Sequence, residues 1–168
     1  MFYLIADTHF FHKNIIEYCN RPFEDTETMN NYIIEKWNSI VKEDDIVLHL
    51  GDVGFGMVEM LSPIIHSLNG HKFLIRGNHD RKRGVNSWEN MGFEKVFKGK
   101  KVKFEEFLEN LDFLKNVNFE TLQPQRFAGS ICLIKLRFYR KRKLYFLTNQ
   151  FNVNQMNLTF TDTFTMYH

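Results

Sequence analysis

Cysteine is scarce, with two in 168 residues. Cys19 and Cys132 are isolated and show neither metal-ligand nor redox spacing, so no disulfide framework is expected and a reducing setting is. No apolar run approaches the length of a membrane span, and no basic segment precedes an apolar one at the start, where Met1 leads straight into a strand pattern. A cytoplasmic protein without a membrane segment is therefore expected. Charge of one sign is also lacking. A net charge of +2 is too small to argue for nucleic acid by itself. Histidine runs out early: after His79 the next is His168. The length suits one domain with a real core.

Against that background, one pattern occurs three times. Phe2-Tyr3-Leu4-Ile5-Ala6 runs into Asp7-Thr8-His9, Ile46-Val47-Leu48-His49-Leu50 into Gly51-Asp52-Val53-Gly54, and His71-Lys72-Phe73-Leu74-Ile75-Arg76 into Gly77-Asn78-His79-Asp80. Each apolar run has the length of a buried strand, and each ends in poor strand formers that are good ligands or turn residues. Ligands collect at the C-terminal edge of open α/β sheets. Carboxylate, imidazole and amide oxygen suit Mn, Fe, Zn or Mg, and Asp52 is placed to bridge two ions. An extended Asp7-Thr8-His9 would point both ligating side chains the same way. Any one block alone reads equally well as an Asx-closed turn, whereas three in this order argue for a metal centre.

Between the blocks the chain alternates helix and strand, which predicts a parallel-cored α/β fold. Asp25 is a candidate N-cap for a helix with an apolar face of Met29, Tyr32, Ile33, Trp37, Ile40 and Val41. Trp37 is read as core. A second helix is expected from Met57 to Leu68, kinked at Pro63, with His66 structural and Asn69-Gly70 as its stop. Further on come a helix over Asn86–Met91, a strand over Glu94–Phe97 and an amphipathic helix from Lys103 to Val117. Arg21-Pro22-Phe23 reads as a turn. His12 reads as a surface histidine at a helix start, with a place near the metals as the alternative. Gly54-Phe55-Gly56 is a flexible turn or a close approach to ligand, and Arg81-Lys82-Arg83 a solvated basic loop or a holder of phosphate charge.

The three blocks resemble the first three signature blocks of the calcineurin-like metallophosphoesterase family, and Gly77-Asn78-His79-Asp80 is the most specific of them. The resemblance implies an α/β fold whose sheet core is a β-sandwich flanked by helices. It also implies two divalent metal ions and hydrolysis of a phosphate mono- or diester by a two-metal hydroxide mechanism, with nucleotides and nucleic acid among the substrate classes. Carried over, Asp7, His9 and Asp52 hold one metal, and Asp52 and Asn78 the other. His79 serves the leaving group or binds phosphate, and Asp80 orients that imidazole.

Two later blocks of the family, a histidine after a fourth strand and a Gly-His-x-His, are not in these 168 residues. Residues 1–120 read as the core and 121–168 as an atypical tail, with Arg and Lys concentrated from Arg137 to Lys143 and a single charge, Asp162, in the last twenty. The tail is expected to be an edge hairpin or partly disordered, and a basic-aromatic segment there also admits nucleic-acid binding. A frameshift, which degenerate codons permit without requiring, would account for the missing blocks. Joining the last base of each codon to the first two of the next lets Phe146 through Phe151 encode SHEPI. In the same frame, Thr159 through Met166 can encode GHIH followed by N. The expected protein is thus an impaired phosphoesterase, or a non-catalytic metal-binding remnant of the same fold. If the tail is instead in its native frame, an active enzyme would have to complete its second metal site from His12, His49 or His168.

Overall fold

The computed structural model describes residues 1–97 throughout and, beyond them, the backbone of five strands at 101–103, 117–121, 125–127, 131–140 and 163–165. The chain opens with β1 (Phe2–Ile5), α1 (Lys13–Tyr18), α2 (Thr26–Ile40), β2 (Ile46–His49), α3 (Val58–Ser67) and β3 (His71–Ile75). A 3-10 turn (Asp80–Lys82), α4 (Val85–Asn90) and β4 (Lys95–Phe97) follow. The later strands are β5 (Lys101–Lys103), β6 (Val117–Thr121), β7 (Gln125–Phe127), β8 (Ile131–Arg140) and β9 (Thr163–Thr165).

Every residue of β1 and β2 is buried, as expected of parallel strands covered on both faces. The main sheet runs β4-β3-β2-β1-β8-β6, with β7 also on β8, and β5 and β9 form a separate pair. Strands β1 to β4 are mutually parallel, and β8 joins β1 antiparallel, Phe2 opposite Leu136. The parallel register sets Ile5, His49 and Leu74 in one row across three strands. The three ligand-bearing blocks all begin just past that row, so they emerge side by side at one sheet edge. This is an α/β fold.

Helix α2 starts where expected. The Asp25 carboxylate accepts from the Thr28 amide at 2.8 Å, and that bond holds its pKa below the usual carboxylate value. Met29, Ile33 and Trp37, four apart, form the buried face, and the Trp37 indole N–H donates to Asn69 O at 3.0 Å. Tyr32 departs from the expected apolar face. It lies off that row, is exposed, and rests its ring on Phe23. Pro63 is accommodated inside α3, which buries Leu61 and Ile65.

Both ends of the helix expected from Lys103 to Val117 are strand residues, the last of β5 and the first of β6, and the residues between them lie outside those described. Part of the expected tail enters the sheet. Residues 131–140 form a strand lying between β1 on one side and β6 and β7 on the other, so the basic run begins in an interior strand and not in an edge hairpin. The segments read in the alternative frame, Phe146–Phe151 and most of Thr159–Met166, lie outside the described residues.

Candidate metal centre

Beyond β1 the backbone is not extended. Asp7, His9 and Phe11 all have left-handed φ values, of 58°, 51° and 59°. The two ligating side chains are therefore presented together by alternating left-handed residues, which corrects the extended geometry expected of this block. Each such non-glycine residue costs roughly 1–2 kcal/mol, so the neighbours must hold the turn. They do so on every side. The amides of Asp7, His9 and Phe10 donate to the carbonyls of Gly51, Asp52 and Val53 at 2.9–3.1 Å. The Asn30 side-chain oxygen accepts from the Phe11 amide at 3.2 Å. The buried Arg21 guanidinium donates to Thr8 O at 3.0 Å and to Asp7 O at 2.7 Å. Burial draws the Arg21 pKa down to about 10, which leaves it a full cation at neutral pH.

The second and third blocks touch backbone to backbone. A methyl group on Gly51, at φ +110°, would fall 2.3 Å from the Gly77 nitrogen, and one on Gly77 would fall 2.2 Å from an Asp52 carboxylate oxygen. Asp80 locks this approach from beneath. One carboxylate oxygen accepts from the Asp52 amide at 2.6 Å and from the Gly77 amide at 2.9 Å, and the other from the Val53 amide at 3.0 Å. Burial pushes the Asp80 pKa up, against the pull of these three amides. The Trp88 indole N–H donates to the Asp80 carbonyl at 3.0 Å and seats the turn on α4.

The result is a convergent donor set. One ligand atom from each of Asp7, His9 and Asp52 lies within 4.8 Å of the others, with His9 Nε2 and Asp7 Oδ1 3.6 Å apart. Two carboxylates and an imidazole at such spacing fit a divalent ion of the hard or borderline kind. His79 stands beside the cluster, its ring centroid 5.8 Å from that of His9, and its amide donates to Asp52 Oδ1 at 3.1 Å. Asn78 is exposed in the same turn, between Gly77 and His79.

His12 belongs to this neighbourhood and is no mere surface histidine. Its Nδ1 is 3.3 Å from His9 Nδ1, and its ring stacks on Phe55 at 3.8 Å. Burial, helped by His9, His79 and Arg21, lowers its pKa to about 4, so it is neutral at physiological pH. When the His9 Nδ1–H donates to the lone pair of His12 Nδ1, His9 Nε2 keeps its own lone pair for the cluster.

His49 is different. Its Nδ1 accepts from the Gly51 amide at 3.1 Å, so its Nε2 carries the proton and donates to Thr8 Oγ1 at 3.0 Å. The Thr8 hydroxyl in turn donates to Val53 O at 2.9 Å. Both imidazole nitrogens are spent on the scaffold, and His49 supplies no ligand. Burial takes its pKa down to about 3. The unfolded chain binds a proton near pH 6.5 that the native state refuses, so stability is full above that value and falls as the pH drops toward 3. Between pH 7 and 5 this histidine alone should remove about 2 kcal/mol. Urea unfolding at both pH values should show the loss in the wild type and a smaller one in His49→Gln. Equal losses would contradict the assignment.

Sequence reasoning singled out the cluster residues but missed Arg21, Asn30 and His49 as their supports. A lone arginine before proline and a histidine inside an apolar strand carry no periodic signal. Among the described residues no helix is long and apolar enough to cross a membrane.

The calcineurin-like phosphoesterase pattern matches residues 1–164. An uncharacterised protein of Methanocaldococcus jannaschii, MJ1445, is 48% identical over 81 residues, which are 47% of this chain and 46% of that protein. The gene 66 protein of Mycobacterium phage L5 is 34% identical over 87 residues, 48% of this chain and 40% of that one. In both cases the match spans under half of the relative's length. Among solved structures, the protein of unknown function AQ665 from Aquifex aeolicus aligns with a TM-score of 0.50 at 26% identity, over 63% of this chain and 56% of that one. With its three strand-end blocks gathered around Asp7, His9 and Asp52, the chain belongs to the calcineurin-like phosphoesterase family.

Proposed function

We propose that this protein is a phosphoester hydrolase whose 168-residue form is impaired. The observation that carries the reading is the convergence of Asp7, His9 and Asp52 at one sheet edge, with the His79 imidazole beside them. Divalent metal, when bound, supplies positive charge to neutralise a phosphoryl group and an activated water to attack it. Asp7, His9 and Asp52 would hold the first ion, and Asp52 with Asn78 would begin a second site. His79, once protonated, donates a proton to the departing oxygen. Asp80 keeps the Asp52 and Gly77 loops in contact, so the ligands and His79 keep their spacing. We assign Asp80 the further task of orienting the His79 imidazole, as the resemblance implies.

The impairment follows from the imidazoles that a second ion would need. His49 is committed elsewhere, and the alternative frame of the codons after Val117 can spell both histidine blocks that this chain lacks. We therefore read residues 1–120 as the functional core and 121–168 as a tail translated partly out of frame. The substrate is a phosphate ester, nucleotide or nucleic acid included, met in the cytoplasm, with Mn, Fe, Zn or Mg as the metal. A non-catalytic metal-binding remnant is the second reading, favoured by the same shortage of imidazoles.

The test is hydrolysis of bis(p-nitrophenyl) phosphate by metal-stripped protein reloaded with Mn. The 168-residue chain should turn over weakly or not at all, and a chain with the alternative frame restored should turn over briskly. Brisk hydrolysis by the 168-residue chain would refute the impairment. Inactivity of both would leave the non-catalytic remnant.

A further inference from the structure

The basic run Arg81-Lys82-Arg83 has no part in the metal cluster, yet the structure does not treat it as one solvated loop. Its three residues are divided. Arg83 is anchored, its guanidinium donating to Gly56 O and lying over the Trp88 ring, 5.3 Å from the centroid. Lys82 is exposed and makes no ion pair among the described residues, and Arg81 is exposed as well. Lys82 and Arg83, without Arg81, line a cavity of about 300 Å³ with Gly54, Phe55 and His79.

The composition of that wall is one-sided. It contains two cations, an imidazole and an aromatic ring, and no carboxylate. The Phe55 ring is already occupied, stacked on His12 at 3.8 Å and tilted against His79 at 4.6 Å, so it closes the cavity as an apolar partition. His79 is shared between the cavity and the surroundings of the metal cluster. A phosphoryl group on the cluster would thus have its leaving oxygen at His79, and the rest of the leaving group would extend toward Lys82 and Arg83.

We propose that this cavity is an anion subsite for the leaving group, and that the preferred substrate is a phosphoester whose leaving group carries a further phosphate. This rests on the phosphoesterase reading of the cluster and narrows it. The anchored Arg83 holds the N–H groups not given to Gly56 at a fixed place, where they can donate to a phosphate oxygen. Lys82 adds a mobile point charge at the rim. The second phosphate can belong to a small molecule that carries a further phosphate on the alcohol side of the scissile ester or to the next link of a nucleic-acid strand, since both place an anionic phosphoryl group beyond the leaving oxygen.

The experiment is an amide NMR titration of the metal-free full chain, which keeps the subsite apart from the metals. The probes are inorganic pyrophosphate and a five-nucleotide oligodeoxythymidylate. Saturable shifts at Phe55, His79, Lys82 and Arg83 are expected with at least one probe, weakened about two- to fivefold in Lys82→Ala and unchanged in Arg81→Ala. Tighter binding of pyrophosphate assigns a small-molecule source, and tighter binding of the oligonucleotide assigns a strand. Absence of saturable shifts with both probes would overturn the proposal, as would equal weakening in the two variants. Either failure leaves the phosphoesterase reading standing, because that reading is tested separately by metal binding and hydrolysis.

Discussion

Asp80→Asn should be the most damaging conservative substitution among the described residues. The carboxylate is fully buried and accepts three backbone amides, from Asp52, Val53 and Gly77. An asparagine of the same shape keeps one acceptor oxygen and turns an NH2 group toward at least one of those N–H donors. Hydrogen bonds to a charged acceptor are worth about 1.5–3 kcal/mol each, and a buried unsatisfied donor costs a comparable amount. The expected loss is about 3–5 kcal/mol, a large share of the stability of an ordinary domain. The raised Asp80 pKa works in the opposite direction, since relief of a buried charge returns part of that loss. Urea unfolding at pH 7 measures the balance. A midpoint within error of wild type would mean that the three bonds contribute little to the fold.

Arg21→Met should rank next, and it acts through the first block. Methionine preserves the apolar stem of the side chain but removes the fork that holds the carbonyls of Asp7 and Thr8. Those carbonyls belong to the segment in which Asp7 and His9 adopt left-handed backbone, the conformation least able to persist unsupported. A hydrogen bond to a charged group is worth about 1.5–3 kcal/mol, so losing the two to Asp7 O and Thr8 O should cost about 3–6 kcal/mol. The same substitution removes a cation beside Asp7, so metal affinity should fall only where turn geometry is lost, not through charge. The two effects separate by experiment. If misplacement of the turn dominates, Arg21→Lys, which keeps the charge but not the fork, should lose both stability and Mn affinity. Full retention of both in Arg21→Lys would show that charge alone suffices.

These two residues also mark where the sequence was legible and where it was not. The three strand-end blocks stood out because buried parallel strands leave continuous apolar runs, and Gly, Asn, His and Asp cannot continue them. Helix α2 was legible for a similar reason, with an N-cap and a four-residue repeat of large apolar side chains. Asp80 was visible as a member of its block, but not its three amide contacts, which depend on two loops distant in sequence meeting. The left-handed turn of Asp7, His9 and Phe11 was not legible, because the strain is allowed only by tertiary partners. Arg21 and His49 were missed on the same ground. A buried polar residue announces itself through the groups that satisfy it, and Thr8, which takes part for both, lies 13 positions from Arg21 and 41 from His49. The strand at residues 131–140 likewise owes its place to pairing with β1 at the other end of the chain.

The account turns on one claim, that Asp7, His9 and Asp52 form a divalent-metal site. Calorimetric titration of metal-stripped protein with Mn tests it most directly, with Asp52→Asn as the companion. The account predicts saturable binding close to one ion per chain, weakened at least about a hundredfold in Asp52→Asn, since a ligand should matter no less than the groups that orient ligands. Circular dichroism of the variant would show that the fold survives. No saturable binding by the wild type, or equal binding by the two proteins, would contradict the claim.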